Sequence, residues 1–412
     1  MNILILGGTG FIGRPMIARL QGRGHKIHCL SRDIDRASDL LGEGIVLLNF
    51  DLPPSEFKKE IEFADVVINL AGEPLAGVRW NNFKKKKFHD SRIGLNELIS
   101  KHISECDNRP SLFISASAVG VYGDRGEELL SEDSLPATDY LSNLCLDWEN
   151  AAIKAEEYGV RVCTLRLGIV LGREGGVLKQ VMPSFELGIG SYIGDPNQMV
   201  PWIHILDVIR AIEFCIDTEI KGPINVVAPQ ASTSKIFANI LKDISKAKII
   251  IRIPFIMLRL IFSSGAKVLT NSQNAIPQKL LENDFKFEYE LLEEALKNEV
   301  APESIQISKT SRFIDDLGIK GQYKLLTSIT LNSSAEETFS FFASPLNLGL
   351  STPDWMGFKI LDIPDELTQN STILYKIKLG PIYMKWCTLI VKWQPSDLFI
   401  DFQVKGPYSL WW

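Results

Sequence analysis

An apolar strand that runs directly into a glycine-rich turn is the feature that most restricts the fold of this chain. Residues 1–6, MNILIL, are followed by GGTGFIG at residues 7–13 and by an amphipathic segment at residues 14–20, which predicts a helix. Gly7 permits the tight turn, Gly10 lets the backbone approach a pyrophosphate, and Gly13 lets the helix lie against the strand. Free amides at the helix start then face the anion. The unit therefore predicts a dinucleotide site.

Predicted strands and helices alternate through the first half of the chain. Strands are predicted at residues 26–30, 45–48, 66–70, 112–115, 161–166 and 224–227, and the clearest helices at residues 96–103 and 146–158. This alternation is typical of a parallel sheet covered on both faces, so we predict a Rossmann-type, doubly wound α/β domain. From about residue 178 to 298 the alternation weakens, with helical stretches at residues 234–245 and 291–298. We expect a small substrate lobe there.

Composition and charge exclude several classes of protein. The net charge of −6 gives no electrostatic reason to expect nucleic acid. The six cysteines, at positions 29, 106, 145, 163, 215 and 387, lack paired spacing, so we predict neither a metal site nor a disulfide framework. The N-terminus lacks the basic leader and cleavage site of a signal peptide. The apolar run 249–262 contains Arg252, Pro254 and Arg259 and is too short to span a bilayer. We expect a cytoplasmic protein without membrane insertion.

The residues after the second predicted strand distinguish the two nicotinamide dinucleotides. A carboxylate there accepts hydrogen bonds from the ribose of NAD, whereas an arginine suits the extra phosphate of NADP. The chain has Ser31 and Arg32, with no carboxylate before Asp33, which favours NADP and leaves NAD as the alternative. Arg32 could also be no more than a solvated loop residue. Asp51 is placed to meet the adenine edge, and the sequence NLAG at residues 69–72 would lie beneath the cofactor.

A series of motifs in a fixed order gives residues 1–298 a family resemblance. The motifs are GGTGFIG at 7–13, NLAGEP at 69–74, RW at 79–80, DSRI at 90–93, SASAVGVYG at 115–123, WE at 148–149, RLGIVLG at 166–172 and WIHILD at 202–207. Together they resemble the epimerase-like branch of the extended short-chain dehydrogenase/reductases, the NAD(P)-dependent epimerase/dehydratase family. Residues 254–296 resemble the C-terminal domain of unknown function that closes proteins of that branch.

The resemblance adds cofactor contacts to those that the turn and the strand ends predict. It implies that Ser31, Arg32, Leu70, Ala71 and Arg92 also contact the cofactor. The complete predicted cofactor-binding set is Gly7, Thr9, Gly10, Phe11, Ile12, Gly13, Ser31, Arg32, Asp51, Leu70, Ala71, Gly72 and Arg92.

Catalysis is less strongly implied than binding. Extended reductases move a proton with a Tyr-x-x-x-Lys pair on a helix, assisted by a serine or threonine at the end of a central strand. Here Tyr140 stands at the tyrosine position, but Leu144 occupies the position of the lysine. Without that charge the phenol keeps a pKa of about 10, so roughly one molecule in a thousand is ionised at pH 7. The epimerase-like branch commonly lacks the pair.

Ser117 and Tyr140 are the predicted catalytic residues, and each has a structural alternative. Ser117, with Ser115 as second choice, would polarise a substrate oxygen or would satisfy a nearby backbone group. Tyr140 would donate a proton or would be a half-buried aromatic residue at a helix start.

The sequence leaves the roles of three further polar features open. Glu149 is a candidate polar wall of the substrate site. His204 is a candidate imidazole for catalysis, although a histidine followed by Asp207, which can cap the next helix, is more often structural. The lysines at residues 84–87 form either a solvated helix face or a patch that steers an anionic ligand.

The pattern changes after Glu299. A polar connection leads to a predicted strand at residues 323–331, a helix at 334–342, and strands near 358–362, 371–379, 382–393 and 398–404. This α+β pattern, with PLN at 345–347, TP at 352–353, DFQ at 401–403 and GP at 406–407, resembles the START-like or polyketide-cyclase fold, a sheet that grips a helix around an apolar cavity. The chain stops within a predicted strand at residues 410–412, so we expect a partial domain with an exposed edge.

These inferences give four segments and two functional hypotheses. The segments are an NADP-binding domain at residues 1–230, a C-terminal lobe at 231–300, a linker at 301–322 and a partial START-like domain at 323–412. The first hypothesis is an epimerase-like oxidoreductase that acts on a small hydroxyl- or carbonyl-bearing substrate, sugar derivatives included. The second is a nucleotide-dependent binding or regulatory protein without catalysis, whose START-like module holds a hydrophobic molecule.

Overall fold

The structure, a computed structural model, has two compact units, Met1–Ala301 and Pro302–Trp412. It describes residues 1–300, 306–309, 313–314, 319–320, 323–326, 335–344, 347, 349, 352, 357–364, 367–379 and 382–406. The strands of the first unit are β1 (Asn2–Leu6), β2 (Lys26–Ser31), β3 (Ile45–Asn49), β4 (Val66–Asn69), β5 (Leu112–Ala118), β6 (Leu129–Leu130), β7 (Arg161–Leu167), β8 (Ile169–Leu171), β9 (Ile189–Ile193), β10 (Met199–Val200), β11 (Trp202–His204), β12 (Gly222–Val226), β13 (Ser232–Thr233), β14 (Ile249–Ile253) and β15 (Asn274–Ala275).

The helices of the first unit follow in the same order. They are α1 (Gly13–Gly22), α2 (Ile34–Leu41), α3 (Pro54–Phe63), α4 (Asn82–His89), α5 (Leu95–Glu105), α6 (Tyr140–Ile153), α7 (Gly176–Glu186), α8 (Ile205–Asp217), α9 (Ser234–Ser245), α10 (Phe255–Phe262), α11 (Lys267–Thr270), α12 (Gln278–Glu282) and α13 (Leu292–Val300). A π-helical turn at Asp90–Gly94 joins α4 to α5.

Seven parallel strands form the central sheet of the first unit, in the order β12-β7-β5-β4-β1-β2-β3. The chain reverses direction across the sheet at β1, so the ends of β1 and β4 diverge and leave a crevice beside the first turn. This is the predicted Rossmann-like α/β fold, which the structure confirms.

Alternation along the strands explains why both faces of the sheet are covered. Ile3 and Ile5 of β1 pack on one face, in a core that includes side chains of α1 and α8. Leu4 and Leu6 point to the other face, where they pack with α3 and α5. Because successive side chains in a strand point to opposite faces, the continuous apolar run of β1 requires helices on both sides.

Helix α6 begins six residues before the predicted start. The carboxylate of Asp139 accepts a hydrogen bond from the N–H of Ser142 and so caps the helix. At its other end, a 3₁₀ turn at Lys154–Tyr158 replaces the last predicted helical residues. Tyr140 therefore lies on the first turn of this helix, which agrees with the alternative that places it at a helix start.

The second unit contains β16 (Gln306–Lys309), β17 (Phe313–Ile314), β18 (Ile319–Lys320), β19 (Tyr323–Leu326), α14 (Ala335–Ala343), β20 (Lys359–Asp362), β21 (Thr372–Leu379), β22 (Ile382–Gln394) and β23 (Leu398–Lys405). The last four strands form an antiparallel sheet in sequence order, which confirms the strands predicted there. Residues 327–331 of the first predicted strand, part of each short motif except DFQ, and the predicted strand end at residues 410–412 lie outside the described residues.

Among the described residues, no helix combines the length and the apolar character that crossing a membrane requires.

Candidate functional site

The glycine-rich turn brings the end of β1 close to the start of α1. The N–H of Gly10 donates to the carbonyl oxygen of Gly7 at 3.0 Å. Gly7 has a φ of +85°, and a Cβ there would lie 2.7 Å from the backbone nitrogen of Ala71. A Cβ at Gly13 would lie 2.4 Å from the carbonyl oxygen of Gly7. The turn therefore requires glycine, and its bare backbone fits a pyrophosphate.

A cleft of about 680 Å³ opens beside this turn. It extends past the ends of β2 and β4, the place where open parallel sheets bind ligands. Eight of the thirteen predicted cofactor residues line it, namely Gly7, Thr9, Gly10, Ser31, Arg32, Leu70, Ala71 and Gly72. The cleft is large enough for a nucleotide cofactor, since ligand pockets usually measure about 300–1,000 Å³.

Three other predicted residues take different positions around the cleft. Phe11 packs against the glycines that precede α7, and its ring lies 2.4 Å from the position that a Cβ on Gly175 would occupy. Ile12 packs against the core on the α1 side of the sheet. Asp51 is exposed and its N–H donates to the side-chain oxygen of Asn49, while the ring of Phe50 lines the cleft.

Three positive side chains line this cleft. The Arg32 side chain is 80% exposed and its guanidinium lies 3.4 Å from a carboxylate oxygen of Glu73. Arg36, one turn later on α2, and Lys87 of α4 also line the cleft. The Asp33 carboxylate accepts a hydrogen bond from the N–H of Arg36 and thus caps α2. This arrangement suits an anion such as the 2′-phosphate of NADP.

Arg92 lies in the π-helical turn, beneath Gly72. It is 7% exposed, and a Cβ on Gly72 would lie 3.1 Å from the carbon of the guanidinium group. One terminal nitrogen donates to the carbonyl oxygen of Glu73 at 2.8 Å, and the guanidinium lies over the ring of Trp148 at 5.0 Å. Burial lowers the pKa of Arg92 to about 10. Arg92 thus supports the floor of the cleft from below.

Several lining residues are absent from the predicted set. They are Leu30, Asp33, Arg36, Phe50, Glu73, Lys87, Asp90, Ser91, Gly94, Leu95 and Leu98. A signal existed for two of them, because Arg36 lies one helical turn after Arg32 and Lys87 ends the run of lysines. The others come from segments that the fold alone brings together.

Ser117 belongs to a buried polar network at the end of β5. Ser117 is 2% exposed, and its hydroxyl donates to a carboxylate oxygen of Glu149 at 2.6 Å. Glu149 also accepts two hydrogen bonds from Arg166, each 2.9 Å long. Burial alone would lower the pKa of Arg166, but the hydrogen bonds and the charge of Glu149 outweigh it and raise that pKa. Tyr122 extends the network, since its hydroxyl accepts from Arg166 and donates to Asn225.

Tyr140 faces a second cleft, of about 360 Å³. Leu144 and Lys85 also line this cleft, and the Lys85 ammonium lies 4.5 Å from the centre of the tyrosine ring. Burial raises the pKa of Tyr140, and the charge of Arg92 opposes that rise. Among the described residues that line the nucleotide cleft, neither Tyr140 nor Ser117 is present. The structure therefore does not bring the predicted catalytic residues to the same cleft as the glycine turn.

His204 caps a helix and lies beside a carboxylate. Its Nδ1 accepts the N–H of Leu206 at the start of α8, and its Nε2 lies 2.9 Å from a carboxylate oxygen of Glu299. Asp207 accepts the N–H groups of Glu288 and Tyr289. Burial raises the pKa of Asp207, and these two hydrogen bonds oppose the rise. Both residues thus join α8 to the segment that ends in α13. His204 has a structural position, but the expected cap is wrong, because His204 itself caps α8 and Asp207 does not.

Comparison with known proteins relates this arrangement to a family. Residues 3–228 match the NAD dependent epimerase/dehydratase family, and residues 253–299 match the domain of unknown function DUF1731. The epimerase family protein SDR39U1 of Mus musculus is 33% identical over 307 residues, which is 73% of this chain and 100% of that protein. The chloroplastic SDR39U1 homolog of Arabidopsis thaliana is 32% identical over 304 residues, which is 72% of this chain and 86% of that protein.

Solved structures give the same result. The crystal structure of human epimerase family protein SDR39U1 (isoform 2) with NADPH has a TM-score of 0.66 and 29% identity, and the match covers 73% of this chain and 99% of that one. UDP-N-acetylglucosamine 4-epimerase from Bacillus cereus, at 20% identity and a TM-score of 0.58, shares the fold over 72% of this chain and 97% of its own. The chain therefore belongs to the NAD dependent epimerase/dehydratase family and resembles those members that are called SDR39U1.

Proposed function

We propose that the cleft beside the glycine turn binds NADP, with NAD as a weaker ligand. The observation that carries the proposal is the combination of a bare glycine turn with Arg32, Arg36 and Lys87 around one cleft. The turn fits a pyrophosphate, and the cations fit the additional phosphate of NADP. The human relative, 29% identical, was crystallised with NADPH, which supports this choice of nucleotide.

Different residues of the cleft would contact different parts of the cofactor. Gly7, Thr9 and Gly10 would hold the pyrophosphate, while Ser31 and Arg32 would contact the adenosine ribose and its phosphate. The backbone at Leu70, Ala71 and Gly72 would lie under the nicotinamide half, and Phe50 would pack on the adenine edge next to Asp51. Phe11, Ile12, Gly13 and Arg92 belong to the same predicted set and would hold the shape of the turn and the floor.

Calorimetric titration with NADPH and NADH tests the assignment. A charge-assisted hydrogen bond contributes about 1.5–3 kcal/mol, so Arg32→Ala should weaken NADPH binding by roughly 10- to 100-fold. NADH lacks the phosphate, and its binding should change by less than about threefold, well under 1 kcal/mol. Arg173→Ala, which removes an exposed arginine outside the cleft, is the matched control. Equal losses for both nucleotides would contradict the NADP assignment.

We further propose an epimerase-like oxidoreductase that acts on a small hydroxyl- or carbonyl-bearing substrate, sugar derivatives included. A bound nicotinamide supplies hydride transfer. Tyr140 keeps its proton at neutral pH because a phenol ordinarily has a pKa of about 10 and burial raises this pKa further, so it would serve as a proton donor. Ser117 would polarise the substrate oxygen, and for this it must exchange its hydrogen bond to Glu149 for one to the substrate.

A second function, in which the chain binds a nucleotide without catalysis, is favoured by two observations. The Ser117 hydroxyl is already committed to Glu149, and Leu144 stands where the catalytic lysine of α6 would be, so that the cation nearest the Tyr140 ring is Lys85 of α4, among the described residues. In this alternative the cofactor is structural or regulatory.

The four-stranded antiparallel sheet with α14 supports the further proposal that the second unit is START-like and holds a hydrophobic ligand.

Leu144→Lys discriminates between the two functions. The lysine would restore the charge four residues after Tyr140, on the same face of α6. If Tyr140 lies in a reactive geometry, NADPH-dependent reduction of a carbonyl substrate panel should rise, and its pH profile should shift to lower pH. Unchanged activity with intact NADPH binding and an unchanged melting temperature would favour the binding function. Leu141→Lys, on the same helix turn, is the control for nonspecific effects of a new lysine.

The proposal also includes the domain boundaries of the chain and its location in the cell. We place the nucleotide-binding domain at residues 1–230, the C-terminal lobe at 231–300, the linker at 301–322 and the START-like domain at 323–412. We place the protein in the cytoplasm.

A further inference from the structure

Helix α10 exposes an unusual amount of apolar surface. Its sequence is FIMLRLIF, and Leu258 is the residue of the helix that the structure buries. Five large apolar side chains are exposed, with Leu260 at 72% and Ile256 at 68%, together with Phe255, Met257 and Ile261. A helix that turns almost all of its apolar side chains to solvent marks an interaction surface.

The strand that leads into α10 continues this character. Ile249 and Ile251 of β14 are exposed, and both lie on one face of the strand because side chains alternate. Ile189 of β9 is the register partner of Ile249 and is exposed as well. Pro254 alone separates β14 from α10. We call the exposed apolar residues of β14 and α10 the 249–262 surface.

Positive charge is concentrated in the part of the chain that carries the 249–262 surface. Residues 244–281 contain six lysines or arginines and no aspartate or glutamate, in a chain whose net charge is −6. Five of the six are exposed, namely Lys246, Lys248, Arg252, Arg259 and Lys267. In the part of the chain that the structure describes, none of these five forms a salt bridge. Their charge is therefore available to an external anionic partner.

Contacts at its C-terminal end fix α10 to the body of the first unit. The guanidinium of Arg79 donates to the carbonyl oxygen of Leu260 at 3.3 Å. The backbone N–H of Trp80 donates to the carbonyl oxygen of Phe262 at 3.4 Å. Gly265 lies so close to the indole that a Cβ there would be 2.7 Å from the ring of Trp80. The helix is thus held in place with its apolar side chains outward.

We propose that the 249–262 surface docks on an anionic lipid bilayer, with α10 lying in the plane of the head groups. Apolar side chains surrounded by lysine and arginine are typical of helices that bind such interfaces. With eight residues at about 1.5 Å each, α10 is only about 12 Å long and cannot span the bilayer. The contact is therefore peripheral.

Charge favours a lipid surface over a second copy of this chain. A two-fold contact brings the same patch of both subunits together, so the exposed cations of this patch would face their own copies. Like charges across an interface oppose association. An anionic bilayer attracts each of these charges and accepts the apolar side chains among them.

Vesicle flotation tests the proposal with the full chain. We expect the protein to float with vesicles that contain phosphatidylglycerol and phosphatidylcholine, to float poorly with phosphatidylcholine alone, and to be released in part by high salt. Leu260→Glu should weaken the partition coefficient by more than about tenfold, because it removes an apolar side chain that the interface buries. Arg259→Gln should weaken it by about fivefold. Leu135→Glu, at an exposed apolar residue between β6 and α6, should have no effect.

Three results would overturn the proposal. The first is the absence of flotation with the anionic vesicles. The second is flotation that Leu260→Glu leaves unchanged while its melting temperature equals that of the unsubstituted chain. The third is a dimer in light scattering that Leu260→Glu converts to a monomer, with no vesicle binding, since a second copy would then cover the surface.

Discussion

Replacing Glu149 with glutamine tests the energetics of the buried network at the end of β5. The side chains of Glu149 and Arg166 are 3% and 8% exposed, and two hydrogen bonds of 2.9 Å join them. Glutamine keeps the volume of the side chain, but it removes the charge and turns an NH₂ group toward Arg166 or Ser117. Arg166 would then be a buried cation without a carboxylate.

The burial of this ion pair determines how much stability Glu149→Gln should cost. Removing one partner of a buried, hydrogen-bonded ion pair costs about 3–5 kcal/mol, because the remaining charge stays out of water. In a unit of this size the melting temperature falls by roughly 2 °C per kcal/mol, so Glu149→Gln should lower it by about 6–10 °C. Urea unfolding followed by tryptophan fluorescence measures the free energy of unfolding, and calorimetry measures the melting temperature.

A surface pair is the matched control. Glu97 and Lys154 are also 3.0 Å apart, but their side chains are 49% and 55% exposed. Glu97→Gln should therefore cost no more than about 1 kcal/mol. The double substitution Glu149→Leu, Arg166→Met should recover much of the loss of Glu149→Gln, because it leaves no unpaired charge. A loss below about 1 kcal/mol for Glu149→Gln would refute the reasoning, since the pair would then not be desolvated.

Two further predictions follow from the glycine turn and from a buried thiol. Gly13→Ala places a methyl group 2.4 Å from the carbonyl oxygen of Gly7, so calorimetry should detect no NADPH binding at concentrations that saturate the unsubstituted chain; Gly22→Ala, where nothing lies within 4 Å, should bind normally. Burial raises the pKa of Cys145 to about 12, so its thiol should resist a disulfide reagent at pH 8 until the chain is unfolded. Because the folded pKa exceeds the unfolded value, the folded state keeps this proton as pH rises, and the free energy of unfolding should fall between about pH 9 and pH 12. Fast reaction of Cys145 in the folded protein, identified by peptide mapping, would contradict the burial.

The sequence predicts the central sheet well because its strands carry short apolar runs that must be buried. β2 and β7 lie within one residue of their predicted bounds, since turn residues end each run. The two- and three-residue pairs, such as β10 with β13, have no pattern of their own and arise from the fold. The start of α6 differs from its prediction because the first turn mixes Tyr140 and Leu141 with two polar residues, and the cap at Asp139 is the signal that marks it.

The predicted site residues that line the cleft are those whose signal in the sequence is local. The glycine turn and Arg32 are each defined by neighbours within a few residues, and both line the cleft. Phe50 carries no such signal, because an aromatic residue after a strand is usually core. The link of Ser117 to Glu149 joins positions 32 residues apart, and no spacing rule connects a strand end to a helix in this way.

The position of Phe11 has a mechanical consequence. Its ring fills the space beside Gly172 and Gly175, each of which would collide with it if it carried a Cβ. The glycine turn at residues 7–13 and the loop before α7 therefore pack directly against each other through this ring. If a ligand bound at the turn restrains this loop, then a restraint on the loop must favour that ligand by the same free energy.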